Sequence, residues 1–170
     1  MRNDESVQVS ALLDQKRFRN TLGRFATGVT VITTQDGDRI HGMTANAFIS
    51  VSLDPPLVLL SLDNRCNMHR MLPSTGRFGI SVLAEDQEHL STHFAGRPIE
   101  GFEASFVTRE GVPVLDQALA YVVAHVVSTH PAGDHTLYIG HVDHFESRDG
   151  QPLLFYAGKY RRLLERGEGG

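Results

Sequence analysis

From His41 to Leu53 the chain alternates. Met43, Ala45, Ala47, Ile49, Val51 and Leu53 share one parity; Thr44, Asn46, Phe48, Ser50 and Ser52 share the other. Period two predicts a single strand whose apolar face seals a core. Its second face is a row of short, uncharged donors and acceptors. That row suits a flat heteroaromatic edge carrying alternating carbonyl and N–H groups, and it equally suits an ordinary solvated strand. Gly42 predicts close approach by a ligand or another chain. Asp54-Pro55-Pro56 should stop the ladder, because proline has no N–H to donate. Leu57 to Leu62 is nearly continuously apolar, which predicts a strand buried on both faces.

The remaining pattern gives more strands than helices. Ser10 is placed to cap a helix from Ala11 to about Ala26, with Leu12, Leu13, Phe18, Leu22, Phe25 and Ala26 as its apolar stripe. Lys16, Arg17, Arg19 and Arg24 lie off that stripe and read as a solvated face. Val29 to Thr34 is a β-branched run, and Asp36-Gly37-Asp38 is a hairpin turn leading into the alternating stretch. A short helical connection follows over Asn64 to Ser74, then a strand over Phe78 to Leu83 and a helix over Ala84 to Phe94. Residues 96 to 111 lack periodicity and read as a loop. Leu119 to Thr129 and His135 to Phe145 are long strands flanking the turn Pro131-Ala132-Gly133-Asp134. Pro152 to Tyr160 closes the fold. Short hairpins between many strands predict a mainly β protein, a small antiparallel barrel with peripheral helices. One domain is expected over 11–163, with a loose arm over 1–10 and a disordered tail over 164–170.

Charge and cysteine narrow the function classes. The net charge of −4 and the lack of any basic run argue against a nucleic-acid partner. A single cysteine, Cys66, excludes an internal disulfide framework and fits a reducing cytoplasm. Neither a signal peptide nor an apolar run long enough to span a membrane is visible. Nine histidines raise the question of a metal. His125, His130, His135, His141 and His144 fall within 20 residues, but no pair of these stands at i, i+4 in a helix and cysteine ligands are lacking, so no metal site is expected. A nucleophile elbow, a phosphate-binding glycine loop and Gly-x-Gly-x-x-Gly are all missing.

Several stretches together resemble one family. Gly42-Met43-Thr44-Ala45-Asn46-Ala47-Phe48, Ser50-Val51-Ser52 and Asp54-Pro55-Pro56-Leu57-Val58 are similar to the short-chain flavin reductases, the reductase components of two-component flavin-dependent monooxygenases. Phe25 to Thr34, Gly111 to Leu115, Gly133-Asp134-His135 and Leu153 to Tyr160 extend the likeness to about residues 15–162. The resemblance implies a flavin-binding split β-barrel of antiparallel Greek-key type. It implies NAD(P)H-dependent reduction of FMN or FAD, with NADH or NADPH as hydride donor and a separate monooxygenase receiving the reduced flavin. The alternative is a non-catalytic flavin-binding or electron-carrier barrel.

The resemblance also implies site residues. Flavin contacts are expected from Met43, Thr44, Ala45, Asn46, Ala47 and Ser50, and from Ser61, Leu62 and Asp63 on the next strand. Asn67 and Met68 lie where the family covers its flavin, and a helix N-terminus there would offer N–H groups to a phosphate. His93 and Phe94 are expected beside the ring. Phe155, Tyr156, Ala157 and Gly158 are expected on the nicotinamide side, with His135 in the catalytic role of placing the nicotinamide. Ala47 stands where the family commonly has Ser. A homodimer is expected, since a split sheet leaves strand edges and apolar rim residues to cover.

Overall fold

Residues 14–164 are described by the computed structural model. The Ser10 cap, the arm over 1–10 and the tail beyond Leu164 lie outside the described residues. The expected mainly β architecture is present. Seven strands form one antiparallel sheet: β2 (Thr30–Asp36), β3 (Arg39–Ala45), β4 (Phe48–Leu53), β5 (Pro56–Asp63), β6 (Arg77–Val82), β9 (Ala120–Ala132) and β10 (His135–Ser147). Their order is β3-β2-β6-β9-β10-β5-β4.

That order overturns the single strand expected from Met43 to Leu53. The alternation runs through Asn46-Ala47, but the pairing does not. β3 pairs with β2 and β4 pairs with β5, on opposite edges of the sheet. Three Cα steps join Ala45 to Phe48, at most about 11 Å. The two edges therefore meet, and the sheet curls into a barrel with its seam at Asn46-Ala47. The expected apolar face survives only in part. Met43 and Ala45 pack against the barrel core, as does Phe48 from the opposite parity. Ile49, Val51 and Leu53 are 57%, 47% and 91% exposed. The crossing turns the chain over, and a bulge between Ser50 and Ser52 shifts the register again.

Asp54-Pro55 does not end the ladder but folds it back, with Leu53 opposite Pro56. β5 is buried on one face rather than two: Val58, Leu60 and Leu62 point inward, and the intervening residues are half-buried. Inside the barrel, Ile32, Leu60, Leu62, Phe78, Ile80 and Tyr138 pack with Met68 and Leu72 of helix α2 (Asn67–Thr75). Each such large side chain contributes about 1.5–3 kcal/mol by burial. Cys66 caps α2, its Sγ accepting from the His69 N–H at 3.3 Å.

Helix α1 covers 14–22 of the described residues, and its stripe does not pack inward as expected: Phe18, Leu22 and Phe25 are 64%, 57% and 79% exposed. Helix α3 is shorter than expected, Glu88–Phe94. Upstream of it, the buried Gln87 side chain accepts from the Ala84 N–H and donates to Gln117 O. The segment read as a loop over 96–111 contains strand β7 (Phe106–Arg109), paired with β8 (Val112–Leu115). This hairpin lies on the outer face of the sheet, so close that a β-carbon on Gly79 would come within 2.7 Å of Val114. Short strands β1 (Thr27–Gly28), β11 (Leu154–Tyr156) and β12 (Lys159–Arg161) form a separate three-stranded sheet.

Candidate active site at the barrel seam

The seam opens into a cleft of about 1110 Å³. Asn46, Ala47, Phe48 and Ile49 form one side, and Thr27, Gly28 and Thr30 another. Phe155, Ala157 and Gly158 complete it beside Arg19, Asn20 and Arg24 from α1 and the turn after it. The volume exceeds the roughly 300–1,000 Å³ of ordinary ligand pockets, so two stacked rings have room. Gly28, Ala47, Ala157 and Gly158 keep parts of the cleft wall free of bulky side chains, which suits a flat ligand.

Local geometry explains why these groups converge. Tyr156-Ala157-Gly158-Lys159 is a two-residue hairpin turn with φ of 49° at Ala157 and 78° at Gly158. Positive φ at both central positions is the hairpin-compatible form. The Ala157 N–H donates to Gly23 O at 2.8 Å, tying this turn to the end of α1. Across the seam, the Ser61 N–H donates to Ala47 O at 3.1 Å. Thr27 Oγ1 is buried at the rim of the cleft with no hydrogen-bond partner among the described residues.

Two residues beyond Ser61, about 7 Å along the strand, lies a polar corner. Asp63 sits opposite His135 in the β5–β10 pairing. The Asn64 N–H donates to Asp134 O at 3.0 Å, and Thr136 Oγ1 donates to Asn64 Oδ1 at 2.7 Å. Gly133, with φ of 65°, and Asp134 make the turn between β9 and β10. His135 Nδ1 donates to Asp134 Oδ1 at 2.7 Å. That bond holds the Asp134 carboxyl below the usual carboxylate range. Arg65 grips Asp63 through two side-chain bonds of 3.0 and 2.7 Å and through its backbone N–H, driving the Asp63 carboxyl far down.

The expected site residues thus divide. Asn46, Ala47, Phe155, Ala157 and Gly158 line the cleft, Ser61 is bonded to its wall at Ala47, and Asp63 and His135 lie at the corner two residues further along β5. Ala45 and Tyr156 flank lining residues, at the end of β3 and in β11. Leu62 and Met68 have their side chains 1% and 0% exposed in the barrel core, leaving backbone groups alone for a ligand. Met43 also packs on that core. The Thr44 hydroxyl donates to Ser91 O at 2.7 Å, so its proton is engaged by α3. His93 Nδ1 accepts from the Ile99 N–H, and Phe94 occupies the space over Gly42. What approaches Gly42 is therefore this chain's own ring. Asn67 is exposed at the first turn of α2, and Ser50 is exposed on β4 opposite Val58.

Sequence reasoning missed Thr27 and the α1 residues Arg19 and Asn20. The signal was the polar side of α1, read as solvated; a helix side that is polar where the chain turns back on it can equally face a cleft. Residues fit a flavin here: amide edges could meet Asn46 and backbone groups at the seam, the unpartnered Thr27 hydroxyl offers a further bond, and Arg19 and Arg24 supply positive charge.

Known proteins place this geometry. Residues 22–164 match the flavin reductase like domain. The NADH-dependent flavin reductase of Rhodococcus sp is 54% identical over 149 residues, covering 86% of this chain and 85% of that protein. The reductase component of 4-hydroxyphenylacetate 3-monooxygenase from Thermus thermophilus is 40% identical, covering 88% and 97%. The structure of flavin reductase PheA2 in its native state superposes with a TM-score of 0.86 at 44% identity, covering 88% of this chain and 98% of that one. With this agreement running along nearly the whole sequence and through the barrel itself, the chain belongs to the flavin reductase family.

Proposed function

We propose that this protein oxidises NADH, reduces FMN or FAD, and releases the reduced flavin to a separate flavin-dependent monooxygenase. The observation that carries this reading is the cleft at the barrel seam, which is lined by the motif residues Asn46, Ala47, Phe155, Ala157 and Gly158. A flavin bound there supplies the acceptor for the nicotinamide hydride. The chain's own part is to bind and orient. Asn46 and the backbone around Ala47 offer donors and acceptors to a ring edge. Thr27 Oγ1 is free to join them. The turn Ala157-Gly158 forms the wall on which a second ring would lie. His135, its Nδ1–H held by Asp134, keeps Nε2 available at a fixed orientation when the ring is neutral. Its role is to position the nicotinamide rather than to move a proton. Holding two rings together is an orientational effect and requires no general acid or base.

The working unit in this reading is a homodimer. Phe18, Leu22 and Phe25 on and after α1, with Ile49, Val51 and Leu53 on the edge strand β4, are large apolar side chains left exposed, and Leu22, Phe25 and Ile49 border the cleft, so a partner covering them would also wall the flavin site. Among the described residues no helix is long and apolar enough to cross a membrane.

The test is an oxidation assay with NADH and with NADPH, adding riboflavin, FMN and FAD in turn. Multiple turnovers with free flavin support the reductase. Tight flavin retention with at most one equivalent of NADH consumed supports a carrier instead.

A further inference from the structure

We propose that His125, His141 and Asp143 form a three-ligand site for a divalent transition-metal ion of the zinc type, on the outer face of the barrel and separate from the flavin cleft. The three residues come from the two longest strands. His125 on β9 lies directly opposite His141 on β10, and Arg77 on β6 lies on the other side of His125. Arg77, His125 and His141 point outward, because their neighbours Phe78, Ala124 and Gly140 pack on the inner face.

Asp143 joins them two residues along β10 from His141, at a break in the ladder. Val142 pairs with Ala124 and His144 with Val123, so Asp143 is the extra residue of a bulge. Two residues on from His141, Asp143 lies on the same outer face by regular alternation, and the bulge frees it from a directly opposed partner. The result is a compact donor set. His125 Nδ1 is 2.8 Å from Asp143 Oδ1, His141 Nδ1 is 3.7 Å from the same oxygen, and the three ligand atoms lie within 4.8 Å of one another. Ligand bonds of 2.0–2.2 Å in a tetrahedron put donor atoms about 3.3 Å apart. The observed separations bracket that value, so small side-chain rotations suffice.

An ion-pair network around Asp143 accounts for only part of the arrangement. Arg77 reaches Asp143 Oδ2 at 2.9 Å. Even so, His141 Nδ1 is shut off from solvent and has no hydrogen-bond partner among the described residues, and Arg77 Nε is likewise unpartnered. A buried ring nitrogen aimed at a carboxylate without a bond is costly unless something lies between them. A cation accepting lone pairs from both imidazoles and from the carboxylate resolves it. Two imidazoles and one carboxylate favour zinc, nickel, copper or cobalt over calcium or magnesium. Three protein ligands leave a coordination position for water. Arg77 competes for Asp143 and repels a dication, so affinity should be moderate, in the micromolar range.

The test titrates the full chain, stripped with chelator, with Zn²⁺ by calorimetry and with Co²⁺ by visible absorption. The expected result is one saturable equivalent and intense tetrahedral-type cobalt bands. His141→Ala and Asp143→Asn should each weaken binding at least tenfold, while His130→Ala should not. Arg77→Met should tighten binding, because it removes the competing cation without touching a ligand. Circular dichroism of each variant checks the fold, and Arg77→Met supplies an arm that does not depend on loss of binding. Flavin reductase activity should be unchanged in His141→Ala. Absence of a saturable equivalent in wild type, or identical titrations for wild type and a folded His141→Ala, overturns the proposal.

Discussion

The ring of Phe94 lies against the backbone of Gly42 so closely that a β-carbon on Gly42 would come within 2.6 Å of Cδ1 and Cε1. The same ring packs edge-on to His93 and Phe106, with centroids at 5.0 and 6.2 Å. Gly42→Ala must therefore displace Phe94 and its neighbours. Overpacking of this kind costs about 1–3 kcal/mol. A thermal melt of Gly42→Ala should show that loss. An unshifted melt would mean that the ring moves aside freely.

Asn46 and Thr27 stand at the seam on different elements, and their substitution should separate folding from binding. Asn46→Leu should weaken flavin by about 1–3 kcal/mol through a lost hydrogen-bonding partner. Thr27→Val removes a hydroxyl that nothing in the described protein uses. It should leave the melting temperature unchanged or raised and lower flavin affinity. Flavin titrations equal to wild type in both folded variants would move the binding face elsewhere.

His135→Ala should lower the rate of hydride transfer about 10- to 100-fold, the scale of a positioning contact. Flavin affinity should stay nearly intact. Stopped-flow reduction by NADH beside a thermal melt distinguishes this from a structural role in the turn. A lowered melting temperature with an unchanged rate would assign His135 to the turn alone.

The Asp63–Arg65 pair predicts a definite pH response. The folded carboxyl is held far below its unfolded value, near 3.9, chiefly by the Arg65 side-chain hydrogen bonds. A depressed carboxylate adds stability that is present above the unfolded value and is lost as pH falls through the folded one. Carboxyl carbon NMR should show Asp63 still ionised when exposed carboxylates have protonated. In Arg65→Ala its midpoint should rise toward the ordinary range.

Light scattering at micromolar concentration should give a dimer mass. Ile49→Asp combined with Leu53→Asp, both on exposed positions of β4, should shift it toward monomer with the barrel's circular dichroism retained. A monomeric wild type would remove the dimer from the reading.

Much of this fold was legible because period two survives wherever a strand keeps one partner. The hairpin turns at Gly37 and Gly133 were visible from their Asp, Gly and Pro residues, whereas the turn at Ala157-Gly158 was not, since Leu153 to Tyr160 reads as one closing strand. The seam was not, since alternation reports which way a side chain points relative to its neighbours and says nothing about which strand lies alongside. Asn46 and Ala47 continue the pattern while the chain changes edges. The β7–β8 hairpin escaped because four-residue strands, one containing Pro113, offer too few periods. The cleft residues named by motif were recovered in part: Asn46 and Gly158 line it, while Thr44 and Met68 are engaged elsewhere. The His125–His141–Asp143 cluster was invisible to helical spacing because it is built from i, i+2 neighbours on β10 and a partner across the ladder on β9.

The two-residue crossing at Asn46-Ala47 also bears on how the barrel loosens. In an open sheet the two edge strands fray independently, since the whole width of the sheet separates them. Here both edges hang from one short covalent span, so a fluctuation that frees the end of β3 slackens the start of β4. Amide exchange in the two strands should rise and fall together, although they are farthest apart in the sheet's own order.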